Sequence, residues 1–225
     1  MTMGQCKTCG VGHSQQFRRF PTMLKTIRQK FAHDDLAIFT VLFIASFIGL
    51  IASFVLSNEA VILARNENTV LACDLSSAVS CSAVGKHWSA EVFNFPNAFV
   101  GMISFSVMMT LAVAGILKVR FPRYFMLSAQ AGAVVGVVFA GWMFYMSYVV
   151  IGALCPWCLL TDIAVLLSLY ALNRYNVEQG HLVLSRKYET TLIRFVSKDF
   201  DKLAVFAVIV LMLVLILVKF GGTLF

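Results

Sequence analysis

"ALCPWCLLTDIAVLLSLYAL", residues 153–172, sets two cysteines two residues apart at the head of an apolar run long enough to be a helix in lipid. Pro156 suits the first position of a helix because it has no N–H to leave unsatisfied there. The spacing therefore predicts Cys155 as the N-cap and Cys158 at the third helical position. Thiols at a helix N-terminus meet unpaired backbone N–H groups and the positive end of the helix dipole, which raises their thiolate fraction. Such a pair is suited to cycling between dithiol and disulfide. The competing reading makes both cysteines small apolar packing residues. Zinc fits poorly, because no histidine or second cysteine pair stands nearby at ligand spacing.

The rest of the chain is equally apolar. Of 225 residues, 60% are hydrophobic and 13% charged, and the mean hydropathy of +0.84 exceeds what a soluble domain can cover with polar side chains. Five stretches, near 36–57, 98–117, 124–151, 155–172 and 203–220, are long enough to cross a hydrocarbon core of about 30 Å as helices. No window alternates as a barrel strand does, and backbone groups in lipid must be satisfied within their own segment. The expectation is an all-α membrane protein: a polar tail over 1–35, a four-transmembrane-helix bundle core over 36–172 with an outer loop at 58–97, a loop over 173–202 and a fifth C-terminal transmembrane helix over 203–225. The first 35 residues lack the apolar centre of a cleavable signal peptide.

A net charge of +7 raises the possibility of a nucleic-acid partner, but the positions of the charges argue against it. Lys7, Arg18, Arg19, Lys25, Arg28 and Lys30 precede the first helix; Lys118, Arg120 and Arg123 fill one short link; six more lie in 173–202. The positive-inside bias puts these segments, with the N-terminus, in the cytoplasm of a multi-pass protein of the cell inner or plasma membrane. The basic excess reads as topology and attraction to anionic membrane lipid. Segments 58–97 and 152–154 then face outward, as do the last residues, 221–225.

That topology sorts the cysteines by redox compartment. Cys73, Cys81, Cys155 and Cys158 face the oxidising side and Cys6 and Cys9 the reducing one. "CDLSSAVSC", residues 73–81, is either a staple for the outer loop or a mobile pair that carries electrons from a soluble protein to a pair sunk in the bilayer. In "CKTCGVGH", residues 6–13, Cys6, Cys9 and His13 fall one ligand short of a closed zinc site, and no function is read there. His87 reads as a loop histidine before a metal ligand. "KHWSAEVFNFPNAF", residues 86–99, has the aromatics either of a lid or of ordinary interfacial anchoring. Gly132, Gly136 and Ala140 form a small-residue stripe that lets another helix approach.

"CDLSSAVSCSAV", then "FNFPNAFVG", then a Cys-X-X-Cys at the head of a fourth helix, together resemble the vitamin K epoxide reductase family, specifically its bacterial branch, over roughly residues 36–172. The resemblance implies a four-helix bundle around a quinone, menaquinone or ubiquinone, with no metal. It implies that Cys158 faces and reduces the quinone, Cys155 exchanges with Cys81, and Cys73 meets a separate thioredoxin-like partner. Asn97 falls where the family's loop asparagine hydrogen-bonds a quinone carbonyl. Asp162 stands where the vertebrate branch has a quinone-contacting tyrosine. A carboxyl inside a membrane helix marks a functional position, here a proton donor to the quinol, unless it is a neutral acid bonded to a neighbouring helix. Phe95, Trp142 and Trp157 are candidates to flank the flat ring, or simply to pack.

The implied activity is that of a thiol oxidase passing electrons from the partner through Cys73/Cys81 and Cys155/Cys158 to the quinone, supporting disulfide formation in secreted proteins. The rival readings are quinone-epoxide reduction by the same cysteines, and a non-catalytic membrane protein with two structural disulfides.

Overall fold

The computed structural model describes residues 16–181, 196 and 198–224, with side chains from Asp35 to Gly222 within those ranges. Cys6, Cys9 and His13 lie outside the described residues. Helix α1 runs over Gln16–Arg65, followed by a short α2 at Cys81–Gly85 and a 3₁₀ turn at Trp88–Glu91. Helix α3 covers Asn97–Ile116, α4 Arg123–Tyr145 with a π-helical extension Met146–Ile151, α5 Pro156–Glu178 and α6 Phe200–Leu224. Five helical segments are long and apolar enough to cross a membrane: Asp35–Arg65, Asn97–Ile116, Arg123–Ile151, Pro156–Glu178 and Phe200–Gly222. Among the described residues the only β-pairing is an isolated parallel bridge between Val79 and Leu154. The molecule is an all-α, multi-pass membrane protein.

The first helix continues to Arg65, eight residues past the expected boundary at 57. Hydropathy stops at Asn58–Glu59, but Ala60 and Leu63 hold the helical period, and Leu63 is buried beside the cysteines. The membrane-crossing part of α1 is therefore about 46 Å long at 1.5 Å per residue. It overshoots the hydrocarbon, so its last turns project toward the interface.

Apolar burial does little to hold helices together in lipid, so close contact and small residues do that work. Helix α1 packs against both α3 and α5, and α4 packs against α5. Gly49 on α1 receives the ring of Phe105, Gly115 on α3 receives Phe39, and Gly101 faces Ser53; a Cβ at any of the three would collide. The buried Ser46 and Ser57 donate to the carbonyls of Leu42 and Ser53, both at 2.7 Å, so neither leaves an unsatisfied hydroxyl in lipid.

Helix α6 is fastened at both ends. At one, Arg174 of α5 pairs with Glu178, with Asp199 in the preceding turn and with Asp201 of α6, at 3.0–3.1 Å. At the other, Lys219 donates to the carbonyl oxygen of Tyr148 and lies 4.6 Å from the centre of its ring. Phe220 packs there with Ala78 and Leu154, which ties α6 to the loop beside the cysteines.

Candidate active site

The cysteines meet because three local devices converge. The first is the head of α5. Cys155 is its N-cap, Pro156 opens the helix, and the Cys155 sulfur accepts the Cys158 N–H at 3.3 Å. The second is the turn before it. The π-helical end of α4 closes at Gly152, whose φ of 72° is left-handed and open to glycine at little cost. The third is the bridge itself: Leu154 N–H donates to Ala78 O at 2.9 Å and Ser80 N–H to Leu154 O at 3.0 Å. With residues on both sides of the bridge fixed, the following Cys81 and Cys155 are presented to each other.

Cys73 and Cys81 form a disulfide, with Cα atoms 5.7 Å apart, while Cys155 and Cys158 are free thiols. The Cys155 thiol donates to the Cys81 sulfur across 3.4 Å. Cys73, Cys81 and Cys155 are all buried, in one cluster with Leu63, Leu71 and Val84. Two half-reactions of thiol–disulfide exchange are thus held in contact away from water.

The loop carrying Cys73 is organised by Asp74. One oxygen accepts the Leu71 N–H at 2.8 Å; the other accepts the Ser80 hydroxyl at 2.8 Å and the Ser82 N–H at 3.0 Å. Desolvation pushes this carboxyl up, but the hydrogen bonds from Ser82, Leu71 and Ser80 outweigh it and hold the pKa at about 2. A depressed carboxyl stabilises the fold above the unfolded value near 3.9 and loses that contribution as pH falls toward 2. Asp74→Asn is therefore expected to loosen the loop at pH 7. The disulfide should then be reduced several-fold faster by dithiothreitol, and the difference from wild type should shrink progressively as pH falls from about 4 toward 2 in a protease-nicking assay of the loop.

Glu59, on the last turns of α1, is 8% exposed. Its Oε1 stands 3.2 Å from the Cys73 sulfur, a contact without a shared proton while that sulfur is in the disulfide. Its Oε2 is buried with no hydrogen-bond partner among the described residues. The carboxylate and the two disulfide sulfurs lie within 4.8 Å of one another.

A cavity of about 620 Å³ opens beside these groups, between α3 and α4 and floored by α1 and α5. Cys81, Cys155 and Cys158 reach it, with Glu59, Asn97 and Asp162. Its walls are otherwise mostly apolar, with Phe105, Phe139 and Met143 among them. Ile103 and Val135 line it and are each 68% exposed on the bundle surface, so the cavity communicates with the lipid side. An apolar chamber of this size with a few convergent polar groups fits a flat, lipid-soluble ring.

Asn97 both lines the cavity and braces the lid segment, donating to Ser89 O at 2.7 Å and accepting the Val92 N–H at 3.2 Å. His87 caps the 3₁₀ turn, its Nδ1 accepting the Ser89 N–H at 3.3 Å and lying 2.8 Å from the Ser89 hydroxyl, a structural task for a histidine that reads in the sequence as a loop residue. Ala90, Glu91 and Phe93 of this segment form part of the cavity wall.

Three ring-flanking candidates stand off that wall. Phe95 stacks on Phe93, which does line it, with centroids 5.9 Å apart. Trp142 packs against Phe139 at 5.6 Å and the lid's Trp88 at 6.0 Å. Trp157 packs among the cysteine cluster. Val135, two turns before Trp142 on nearly the same side of α4, does line the cavity, so it is the contacts of the Trp142 ring with Phe139 and Trp88 that hold it off the wall. The stripe of Gly132, Gly136 and Ala140 is likewise part of this wall: a Cβ at Gly136 would abut Val165 of α5, but one at Gly132 would meet nothing within 4 Å among the described residues. Small residues here open space as well as permitting helix approach. Glu59, Phe105 and Phe139 were not singled out by the sequence; only the helical period through residues 132–143 pointed toward the last.

The vitamin K epoxide reductase family model matches residues 40–172, more than half of the 225-residue chain and inclusive of all four clustered cysteines. No curated protein matches the chain. Members of that family are membrane oxidoreductases that in general use quinones and work with thioredoxin-like proteins. With its membrane-spanning bundle and its gathered cysteines, this chain belongs to the vitamin K epoxide reductase family.

Proposed function

We propose that the protein is a thiol oxidase that transfers two electrons from a separate thioredoxin-like protein to a membrane quinone, and so supports disulfide formation in secreted proteins. The observation that carries this reading is the 3.4 Å contact between a disulfide sulfur, Cys81, and a free thiol, Cys155, beside a cavity that Cys158 also lines. The relay begins with the Cys155/Cys158 pair oxidised to a disulfide by an acceptor in the cavity that Cys158 lines. A partner thiolate attacks Cys73 and Cys81 leaves as a thiolate; Cys81 attacks Cys155 of the Cys155–Cys158 disulfide, and Cys158 leaves as a thiolate. Once the partner's second thiolate has released Cys73, Cys73 attacks Cys81 and frees Cys155, which gives the oxidised loop pair and reduced Cys155/Cys158 pair of the structure. A quinone bound in the cavity supplies a two-electron, two-proton acceptor. Asn97 is the candidate donor to its carbonyl, and Asp162, about one turn beyond Cys158, the candidate proton source.

The distribution of basic residues supports a topology with the cysteine end outside the cytoplasm and the N-terminus inside. The oxidising compartment that keeps a disulfide formed is then the one in which secreted chains need theirs. Stopped-flow absorbance with purified protein, a reduced thioredoxin-like partner and menaquinone or ubiquinone tests the reading: hydroquinone should form in step with oxidation of the partner. No hydroquinone with either quinone would remove it.

The cavity wall offers a second check. A Cβ at Gly132 meets no atom of the described residues within 4 Å, so Gly132→Phe should fold while its ring occupies cavity space. The expected result is a quinone KM raised about tenfold, equivalent to about 1.4 kcal/mol of binding, with the rate of disulfide exchange between the cysteine pairs unchanged.

A further inference from the structure

We propose that Glu59 is the proton carrier of the loop pair: it takes the Cys73 proton when that thiol closes on Cys81, and returns it when Cys73 leaves a mixed disulfide with the partner. The inference rests on the electron path proposed above and adds to it the residue that moves the proton.

Thiol–disulfide exchange needs a thiolate to attack and leaves a thiolate behind. Cys73 plays both parts in each turnover, and it is buried, so water is a poor source or sink for its proton. Two carboxyls lie close to it. Asp74 is adjacent in sequence, but both its oxygens are occupied by the Leu71, Ser80 and Ser82 donors. Glu59 has Oε1 in contact with the Cys73 sulfur at 3.2 Å and a buried Oε2 with no hydrogen-bond partner among the described residues. None of the ion pairs among the described residues involves it. Burying a carboxyl without a counter-charge or a full set of hydrogen bonds costs stability, and a purely structural role would leave that cost without return.

The steps balance. When the second partner thiolate displaces Cys73 from the partner–Cys73 disulfide, the Cys73 thiolate takes the proton held on Glu59, leaving the carboxylate. Cys81 has meanwhile formed its disulfide with Cys155, releasing the Cys158 thiolate. Cys73 then attacks Cys81: its proton passes to Glu59, the Cys73–Cys81 bond forms, the Cys81–Cys155 bond breaks, and Cys155 leaves as a thiolate that accepts the Cys158 N–H. Glu59 ends protonated, as it began, with Cys73–Cys81 oxidised as in the structure. The titratable and charged groups around it are Asp74 from the loop, Cys155, Cys158 and Asp162 from α5, and Glu91 from the lid.

The test uses the full chain without quinone. Reduction of the loop disulfide by dithiothreitol, and its re-formation when the reductant is exchanged for excess oxidised glutathione, which takes up the two electrons, are followed by rapid acid quench, alkylation and mass spectrometry from pH 5 to 9. Glu59→Gln should slow re-formation about 100-fold, the scale of one lost proton-transfer group. Its rate should then fall tenfold for each pH unit lowered, as thiolate supply alone dictates, while the wild-type rate stays nearly level toward pH 6. Glu59→Asp, which keeps a carboxyl, should retain the level profile at a reduced rate. A Glu59→Gln protein matching wild type in rate and profile overturns the proposal. Should that variant fail to fold, a steep profile in Glu59→Asp overturns it. A wild-type chain that shows the level profile yet reduces no quinone would sink the thiol-oxidase reading and leave Glu59 in its role.

Discussion

Replacing Cys158 with alanine is expected to abolish quinone reduction while leaving the Cys73–Cys81 disulfide open to reduction by a thiol partner. Cys158 reaches the cavity and heads α5 beside Cys155. The loop disulfide depends on neither: it is made by residues of the 66–85 segment and held by Asp74 and the Val79–Leu154 bridge. Removal of a group that performs the chemistry costs more than about 1,000-fold in rate, so hydroquinone formation in stopped flow should drop below detection. Alkylation should meanwhile show Cys73 and Cys81 passing from oxidised to reduced as the partner is added. A variant that still produces hydroquinone at the wild-type rate would mean that electrons leave the protein elsewhere.

Cys81→Ser has the second largest expected effect, and it cuts the path at the other side of the 3.4 Å contact. The loop can no longer form its disulfide or attack Cys155, so turnover driven by a thioredoxin-like protein should fall more than about 100-fold. A small dithiol such as dithiothreitol should still drive quinone reduction, because Cys158 is only partly buried and lines a cavity that communicates with the bundle surface. That split between bulky and small donors distinguishes a relay from a staple. If the loop were a structural clamp, both donors would lose activity together as the site loosened; if it were dispensable, neither would.

The chain's own letters announced the parts of this site that depend on local geometry. Cys155 as N-cap and Cys158 at the third helical position follow from Pro156, because proline's missing N–H and fixed φ are tolerated there and not further along. The five spans follow from length and apolarity. What stayed hidden depends on tertiary contact. Glu59 sits past the point where hydropathy ends the first helix, so it reads as a loop residue until Leu63 is seen packed against the cysteines. The Val79–Leu154 bridge joins segments 75 residues apart through backbone atoms, which carry no residue-type signal. Trp142 and Trp157 are the right chemistry for flanking a ring, but the first packs against Trp88 and Phe139 and the second among the sulfurs. Asn97 carries a task that a site motif alone does not reveal, since it also braces the lid through Ser89.

The proposed relay requires that Cys81 and Cys155 exchange directly, which a double variant tests. In a Cys73→Ala/Cys158→Ala double variant expressed in the membrane, each of these two sulfurs loses its usual partner and faces the other at 3.4 Å. Non-reducing digestion and mass spectrometry should then recover one linked peptide pair joining residues 81 and 155 as the predominant species. Recovery of both residues as separately alkylated thiols, under conditions in which the wild-type chain has its loop disulfide formed, would contradict the relay.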